Sequence, residues 1–273
     1  MKLEIDAASC IGCGACVRDC PMCALALDKA RKPTVAPGKE NNCIACQHCM
    51  AVCPVGALTL NGIGAADAKS ANALDLPSAR QIDDLFLYRR SIRQYRRQEV
   101  PEETISEMLS VLANTPTGCN AMGLTFTVVK SVETMDRLRD KVIDSIANAQ
   151  LEHMLPRFIA KPAIRYRRKG IDEFFRGAPH LLIVSADVAK STTPFEDCVA
   201  ALAYFSMLAE ARGIGTTWCG YLKLISNVVA SVKDVFGIER ENPYYAMLFG
   251  YPDVKYPRTV CRSGAAKIRY VTE

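Results

Sequence analysis

Cys10-Ile11-Gly12-Cys13-Gly14-Ala15-Cys16-Val17-Arg18-Asp19-Cys20-Pro21 decides how this chain is read, because its cysteine spacing recurs at an offset of 33 in Cys43-Ile44-Ala45-Cys46-Gln47-His48-Cys49-Met50-Ala51-Val52-Cys53-Pro54. In each copy two residues separate the first three cysteines, three residues precede the fourth, and a proline follows it. The likeness runs past the cysteines. Ala24-Leu25 matches Ala57-Leu58, and Leu27 matches Leu60. The stretch is therefore a duplicated fold unit and not a chance density of one residue type.

Three chemistries compete for these thiols. Disulfides need an oxidising compartment, yet Lys2, Glu4 and Asp6 break up the opening residues, so no apolar export leader is expected there. Zinc is held by paired Cys-x2-Cys elements, but three cysteines two apart with a fourth before proline is not a zinc-ribbon pattern. That run is the one that wraps a cubane iron–sulfur cluster, and its duplication implies two clusters.

Residues 1–60 resemble the two-[4Fe-4S] bacterial ferredoxins along their whole length. The resemblance implies crossed ligation, in which the fourth cysteine of each run serves the other run's cluster. One cluster would then take Cys10, Cys13, Cys16 and Cys53, and the other Cys43, Cys46, Cys49 and Cys20. Such crossing would staple together a domain too small to be held by its own apolar core. Cys23 falls where the second copy has Gly56 and is expected to be a small buried thiol. His48 lies inside the second run but is surplus to four-fold ligation, so it is read as a non-ligand.

A chain of 273 residues leaves room for one further domain of about 200 residues. Its 49% hydrophobic content is that of a globular protein, and no apolar stretch reaches the roughly 18 residues of a membrane span. The thiol content points to the cytoplasm. The formal charge of +5 counts every cysteine as neutral. Two oxidised clusters at about −2 each would bring it to about +1, so charge implies no nucleic-acid partner. The densest basic run, Arg165-Tyr166-Arg167-Arg168-Lys169, reads as a solvated segment, with a docking face for an acidic electron carrier as the alternative.

Residues 61–77 are small, polar and without period, and are expected to link a cluster domain over 1–60 to a second domain over 78–273. Ser78-Ala79-Arg80-Gln81 is a capping box opening a helix with Ile82, Leu85, Phe86 and Arg89 on one stripe. A second helix starts at Pro101 and buries Ile105, Met108, Leu109 and Leu112 until Thr115–Gly118 ends it. Alternation makes Leu124–Val129 a strand, and Leu181–Ser185 reads as an inner strand. Helices are expected over about 132–151, 196–211 and 226–236, with strands at about 215–219 and 244–249. The pattern is that of an α+β sandwich.

A few separated loci carry the chemistry of this half. Arg89-Arg90-Ser91-Ile92-Arg93 closes the first helix, Asn120 sits in a glycine-containing loop, and Gly213–Gly220 runs through a strand. Arg258 and Arg262 lie near the end. Guanidinium groups beside a hydroxyl suit a phosphate, because the planar fork donates paired hydrogen bonds. Glycine-rich backbone admits a flat ring.

Taken in order, these loci resemble the FMN-dependent nitroreductase family over residues 80–270. The matching stretches are Arg89–Arg93, Pro116-Thr117-Gly118-Cys119-Asn120, Gly177-Ala178-Pro179, Asp197-Cys198, Gly213–Gly220, and Gly250-Tyr251-Pro252 with the trailing arginines. The family's Gln-Pro-Trp after the loop asparagine is replaced here by Ala121-Met122-Gly123-Leu124, so the pocket wall is expected to differ. The resemblance implies that Arg89 and Ser91, beside Arg90, bind the FMN phosphate, with Arg262 or Arg258 reaching it. Arg93 would face the pyrimidine edge of the flavin, Asn120 would bond the ring or ribityl chain, and the backbone at Cys219-Gly220 would lie at its N5 side. It also implies a homodimer with FMN at the interface. Cys119 and Cys219 are read as buried structural thiols, and His153 and His180 as structural.

The two halves together imply an iron–sulfur flavoprotein that takes electrons singly from ferredoxin or a similar donor, with NAD(P)H the alternative. Through two [4Fe-4S] clusters and FMN it would reduce a small electron-poor acceptor such as a nitroaromatic, quinone or activated alkene. The rival readings are a specialised biosynthetic or dehalogenating reductase and an electron carrier or redox sensor without small-molecule turnover.

Overall fold

A computed structural model describes residues 1–148 and 156–272. The chain forms two compact units, one of Met1–Pro77 with Cys119–Ala121, the other of Ser78–Gly118 and Met122–Glu273.

The first unit repeats one motif twice. Strand β1 (Leu3–Ile5) is followed by the single-turn helix α1 (Ala15–Arg18) and the hairpin β2 (Leu25–Leu27) and β3 (Pro33–Val35). A second single-turn helix, α2 (His48–Ala51), precedes β4 (Leu58–Leu60), which returns to pair antiparallel with β1 in the register Leu3–Leu60. Its core is small: Cys16, Leu25, Cys49, Leu58 and Leu60 with flanking cysteines. Cys23 is exposed, contrary to the expectation of a buried thiol. The reason is local. Its φ of 50° is the left-handed turn that the second copy makes with Gly56 at 63°, and this turns the side chain outward. Residues 61–77 carry two short 3-10 turns, Ala65–Asp67 and Ala71–Ala73.

The second unit is built on the antiparallel sheet β5-β6-β8-β7, comprising β5 (Leu124–Val129), β6 (His180–Ala186), β7 (Gly215–Trp218) and β8 (Tyr244–Gly250). Its helices are α3 (Ala79–Tyr88), α4 (Glu102–Leu112), α5 (Val132–Asn148), α6 (Arg157–Lys169), α7 (Pro194–Glu210), α8 (Gly220–Val228) and α9 (Ser231–Val235). The sheet is buried on both faces. Leu181, Ile183, Ala246 and Leu248 join one core with residues of α5, α6, α8 and α9. Leu182, Val184, Met247 and Phe249 face the other, with residues of α4 and α7. Alternation along two central strands thus serves two layers of helix.

Helix α6 carries the basic run, whose Arg165, Arg167, Arg168 and Lys169 are exposed, in keeping with the expected solvated segment. No helix is expected there from the sequence; Pro156 caps it and Pro162 is buried inside it. Its cations are partly paired, Arg165 with Glu173 at 2.5 Å and Arg167 with Asp144 at 3.7 Å. The single helix expected at about 226–236 is two helices, α8 starting straight from β7 and α9 following a break at Val229. Val229 and Val232 are both buried, so the break lets each fill the core. Helix α3 has the expected cap, with Gln81 N–H donating to Ser78 Oγ at 3.3 Å and Ser78 N–H to Gln81 Oε1 at 2.8 Å. Its apolar stripe is not covered, however: Phe86 is 63% exposed and no residue of the helix is buried. The expected helix over 132–151 is described to Asn148; its last residues and His153 lie outside the described residues.

Candidate functional site

Two cysteine-lined cavities occupy the first unit. Cys10, Cys13 and Cys16 line one together with Cys53. Cys43, Cys46 and Cys49 line the other together with Cys20. Each run curls around its space through left-handed residues, Gly12 and Gly14 in the first and Ala45 and Gln47 in the second. Backbone N–H groups aim at the sulfurs: Ala24 at Cys20 (3.3 Å), Ala57 at Cys53 (3.3 Å) and Ala45 at Cys43 (3.4 Å). Burial pushes the Cys16 and Cys49 thiols up, backbone N–H groups (of Val17 and Cys16 for the first, of Met50 for the second) offset part of that, and neighbouring cysteines push up again. Such thiols ionise readily only against a compensating cation. Among the described residues no three His, Cys, Asp or Glu side chains converge on a single-ion position. Sulfurs standing around a space suit a polynuclear iron–sulfur cluster. His48 sits at the rim of the second cavity, 3.4 Å from an Asp19 carboxylate oxygen.

Cations line the first run more than the second. Lys32 Nζ donates to Cys10 O (2.5 Å) and Ala7 O (2.9 Å), Arg18 Nη1 to Cys13 O (2.9 Å), and Arg31 Nη2 to Gly12 O (3.2 Å). In the second run the Ile44 carbonyl accepts from the neutral amide of Asn120 at 2.9 Å.

In the second unit, Arg89, Arg90, Ser91 and Arg262 line one cavity of about 410 Å³ together with Phe86, Leu87, Val260 and Ser263. Arg90 Nη1 donates to Arg89 O at 2.7 Å, but its Nε and Nη2 are buried without a hydrogen-bond partner. Orphaned guanidinium N–H groups cost on the order of 1–3 kcal/mol, which an anion in the cavity would relieve. The nearby Glu210 is a weak counter-ion: burial pushes its carboxyl up, against the pull of Arg89 and Arg90. The donor set therefore fits a phosphate.

Arg93, Cys219 and Gly220 line a second cavity of about 280 Å³ with Phe174, Arg176, Trp218 and Tyr221. The segment between the two cavities is laced to β7. Ser91 pairs with Thr216 as a parallel bridge, Ile92 N–H donates to Thr216 O at 2.9 Å, and the Thr217 hydroxyl donates to Ile92 O. Cys219 is buried, contacts Phe174 O at 3.8 Å, and has its thiol pushed up to about 12 by burial, as befits a structural group.

Other expected residues stand apart. Asn120 lines neither cavity, and Arg258 is absent from both linings. Cys119 is exposed at a left-handed φ of 52°, so it is no buried thiol. His180 is fully buried and structural. Its Nε2 accepts from Val100 N–H at 2.8 Å, Nδ1 lies 3.2 Å from Val129 O, and burial pulls its pKa down, so the neutral ring bridges two backbones. Trp218 falls within the Gly213–Gly220 locus expected from the sequence, but Phe174, Arg176 and Tyr221 are not among the expected residues. The one signal present was that Arg176 precedes the Gly177-Ala178-Pro179 turn.

The nitroreductase family model matches residues 87–251, and a 4Fe-4S dicluster domain model matches residues 3–60. A protein of Methanothermobacter thermautotrophicus named as an NADH dehydrogenase/NAD(P)H nitroreductase is 25% identical over 168 residues, spanning 60% of this chain and 73% of that one. A nitroreductase of Bacteroides fragilis solved with bound FMN superposes with a TM-score of 0.53 at 21% identity, over 70% of this chain and 99% of that one. A nitroreductase of Desulfitobacterium hafniense, also solved with FMN, gives 0.54 at 21% identity, over 69% and 97%. At that identity the two structures speak for the fold.

Proposed function

This chain belongs to the nitroreductase family of FMN-dependent oxidoreductases and carries a 4Fe-4S dicluster domain at residues 3–60, and from that premise we propose that it reduces a small electron-poor acceptor with electrons received one at a time. The clusters supply single-electron acceptance and FMN supplies the exchange between one- and two-electron chemistry when they are bound. Every other contribution comes from side chains of this protein.

Cys10, Cys13, Cys16 and Cys53 would hold one cluster, and Cys20, Cys43, Cys46 and Cys49 the other. Arg89, Arg90, Ser91 and Arg262 would clamp the FMN phosphate. Arg93 would place a positive charge against the flavin ring, favouring its reduced, negatively charged state. The backbone at Cys219-Gly220 would form the ring's close wall. The observation that carries this reading is the arginine cavity, in which Arg90 keeps two buried N–H donors unpaired until an anion arrives.

A homodimer belongs to the proposal. The exposed apolar stripe of α3, with Phe86 at the edge of the phosphate cavity, and the exposed Ile268, Tyr270 and Val271 of the tail supply an apolar surface for a second copy. Purification without air tests the whole reading. It should give a brown dimer with about eight irons and one FMN per chain. Multiple turnover of nitroaromatic or quinone acceptors should follow supply of reduced ferredoxin or NAD(P)H. Electron exchange with proteins alone, without a saturable acceptor, would point to a carrier instead.

A further inference from the structure

The cavity lined by Arg93 is lined by a second arginine, Arg176, whose backbone is held at a conformational cost. Arg176 has φ 57°, in the left-handed region that disfavours a non-glycine residue. Asp172 imposes it. One carboxylate oxygen accepts from Phe175 N–H at 2.8 Å and the other from Gly177 N–H at 2.9 Å, pinning the backbone on both sides of Arg176. Asp172 is itself fixed by Arg139 Nε at 2.7 Å, and the two side chains are only 9% and 7% exposed. Arg139 also reaches Asp136 at 2.6 Å. On the same turn Phe174 and Phe175 are buried, Phe174 packing edge-on against Tyr221 with ring centres 5.2 Å apart.

A buried ion pair, a bidentate cap and two core aromatics thus converge on one strained arginine. Among the described residues no carboxylate pairs with Arg176, and no acid lines its cavity. Backbone strain that the surroundings over-determine clusters at ligand-binding positions. Phe174, Trp218 and Tyr221 supply flat apolar walls, and Arg93 is already assigned to the flavin. The phosphate-type anion has its own cavity around Arg90. What remains for Arg176 is an anionic group on the acceptor.

We propose that Arg176 is a specificity-determining residue that pairs with the carboxylate of a planar aromatic acceptor, so that the enzyme prefers aromatic acids over their neutral analogues. The inference rests on reading this cavity as the flavin pocket. It predicts recognition through a charge-assisted bidentate pair, worth roughly ten- to hundredfold in selectivity.

The test uses the flavin-loaded full chain. The ratio of kcat/KM for 4-nitrobenzoate to that for 4-nitrobenzyl alcohol should exceed one in the native protein and fall with added salt. Arg176→Gln should lower the ratio about ten- to hundredfold, with Arg176→Lys recovering part of it. Benzoate, as a dead-end ligand, should perturb the flavin absorbance, with a Kd that rises by a similar factor in Arg176→Gln. A native ratio near one overturns the proposal without any variant. So does a variant that loses flavin while its ratio stays put, which would make Arg176 a flavin ligand. A chain that never retains flavin overturns the proposed function as well, which separates the two failures.

Discussion

Ile92 donates its backbone N–H to the Thr216 carbonyl at 2.9 Å, and this bond registers the Arg89–Arg93 segment against strand β7. Gly215 makes the approach possible, because a Cβ there would collide with Ile92 and Pro252. Gly215→Val should push the segment off the strand, at a cost of about 1–3 kcal/mol in stability. Arg89, Ser91 and Arg93 would then shift away from Cys219 and Gly220 at the end of β7, so the flavin-to-protein ratio after gel filtration should drop well below that of the native chain. Native flavin retention with a native melting temperature would contradict the role given to this register.

The two trailing arginines should differ. Arg262 lines the cavity with Arg89, Arg90 and Ser91, and Arg258 does not. Arg262→Gln should raise the Kd of the apoprotein for FMN by roughly ten- to hundredfold, the worth of a charge-assisted phosphate contact. Arg258→Gln should change it by less than about threefold, as a surface charge does. Fluorescence quenching of free FMN on titration reads both, and the reverse order would reassign the clamp.

Crossed ligation has its own signature. Cys53 shares a cavity with Cys16, although it lies in the second run. Cys16→Ser and Cys53→Ser should therefore perturb the same reduced-cluster signal in electron paramagnetic resonance, and Cys20→Ser and Cys49→Ser the other. If Cys53→Ser instead matched Cys49→Ser, each run would hold its own cluster.

The clusters should also differ in potential. Lys32, Arg18 and Arg31 all donate to carbonyls of the first run, and positive charge favours the more negative reduced cluster. If Cys10, Cys13, Cys16 and Cys53 hold one cluster, as proposed, that cluster should have the higher midpoint. Lys32→Gln should move that midpoint, and not the other, to a more negative value in an anaerobic redox titration. An unmoved midpoint would show that the lysine only packs.

What the sequence disclosed was mostly local. The cysteine runs were legible because ligand spacing is short-range, and β5 and β6 because two buried faces impose alternation and an apolar run. The capping box at Ser78 likewise needs only three residues. Helix α6 was hidden because Pro162 normally breaks a helix, and here its ring is accommodated by burial. The joint between α8 and α9 depends on where Val229 and Val232 meet the core, which no local pattern records. Arg176 was least legible. Its conformation is set by Asp172, which takes its own position from Arg139, a residue on α5 far away in the chain. Cys23 and Cys119 misled because cysteine is usually buried, whereas both occupy left-handed turns that face outward.

The account depends on electrons passing between the cysteine-held clusters and the flavin on their way to an acceptor. Mixing the fully reduced protein with a nitroaromatic acceptor in an anaerobic stopped-flow instrument tests this most directly. Cluster and flavin bands should both return to their oxidised spectra, with the clusters recovering at least as fast as steady turnover. Clusters that stay reduced while the flavin is oxidised and turns over would contradict it.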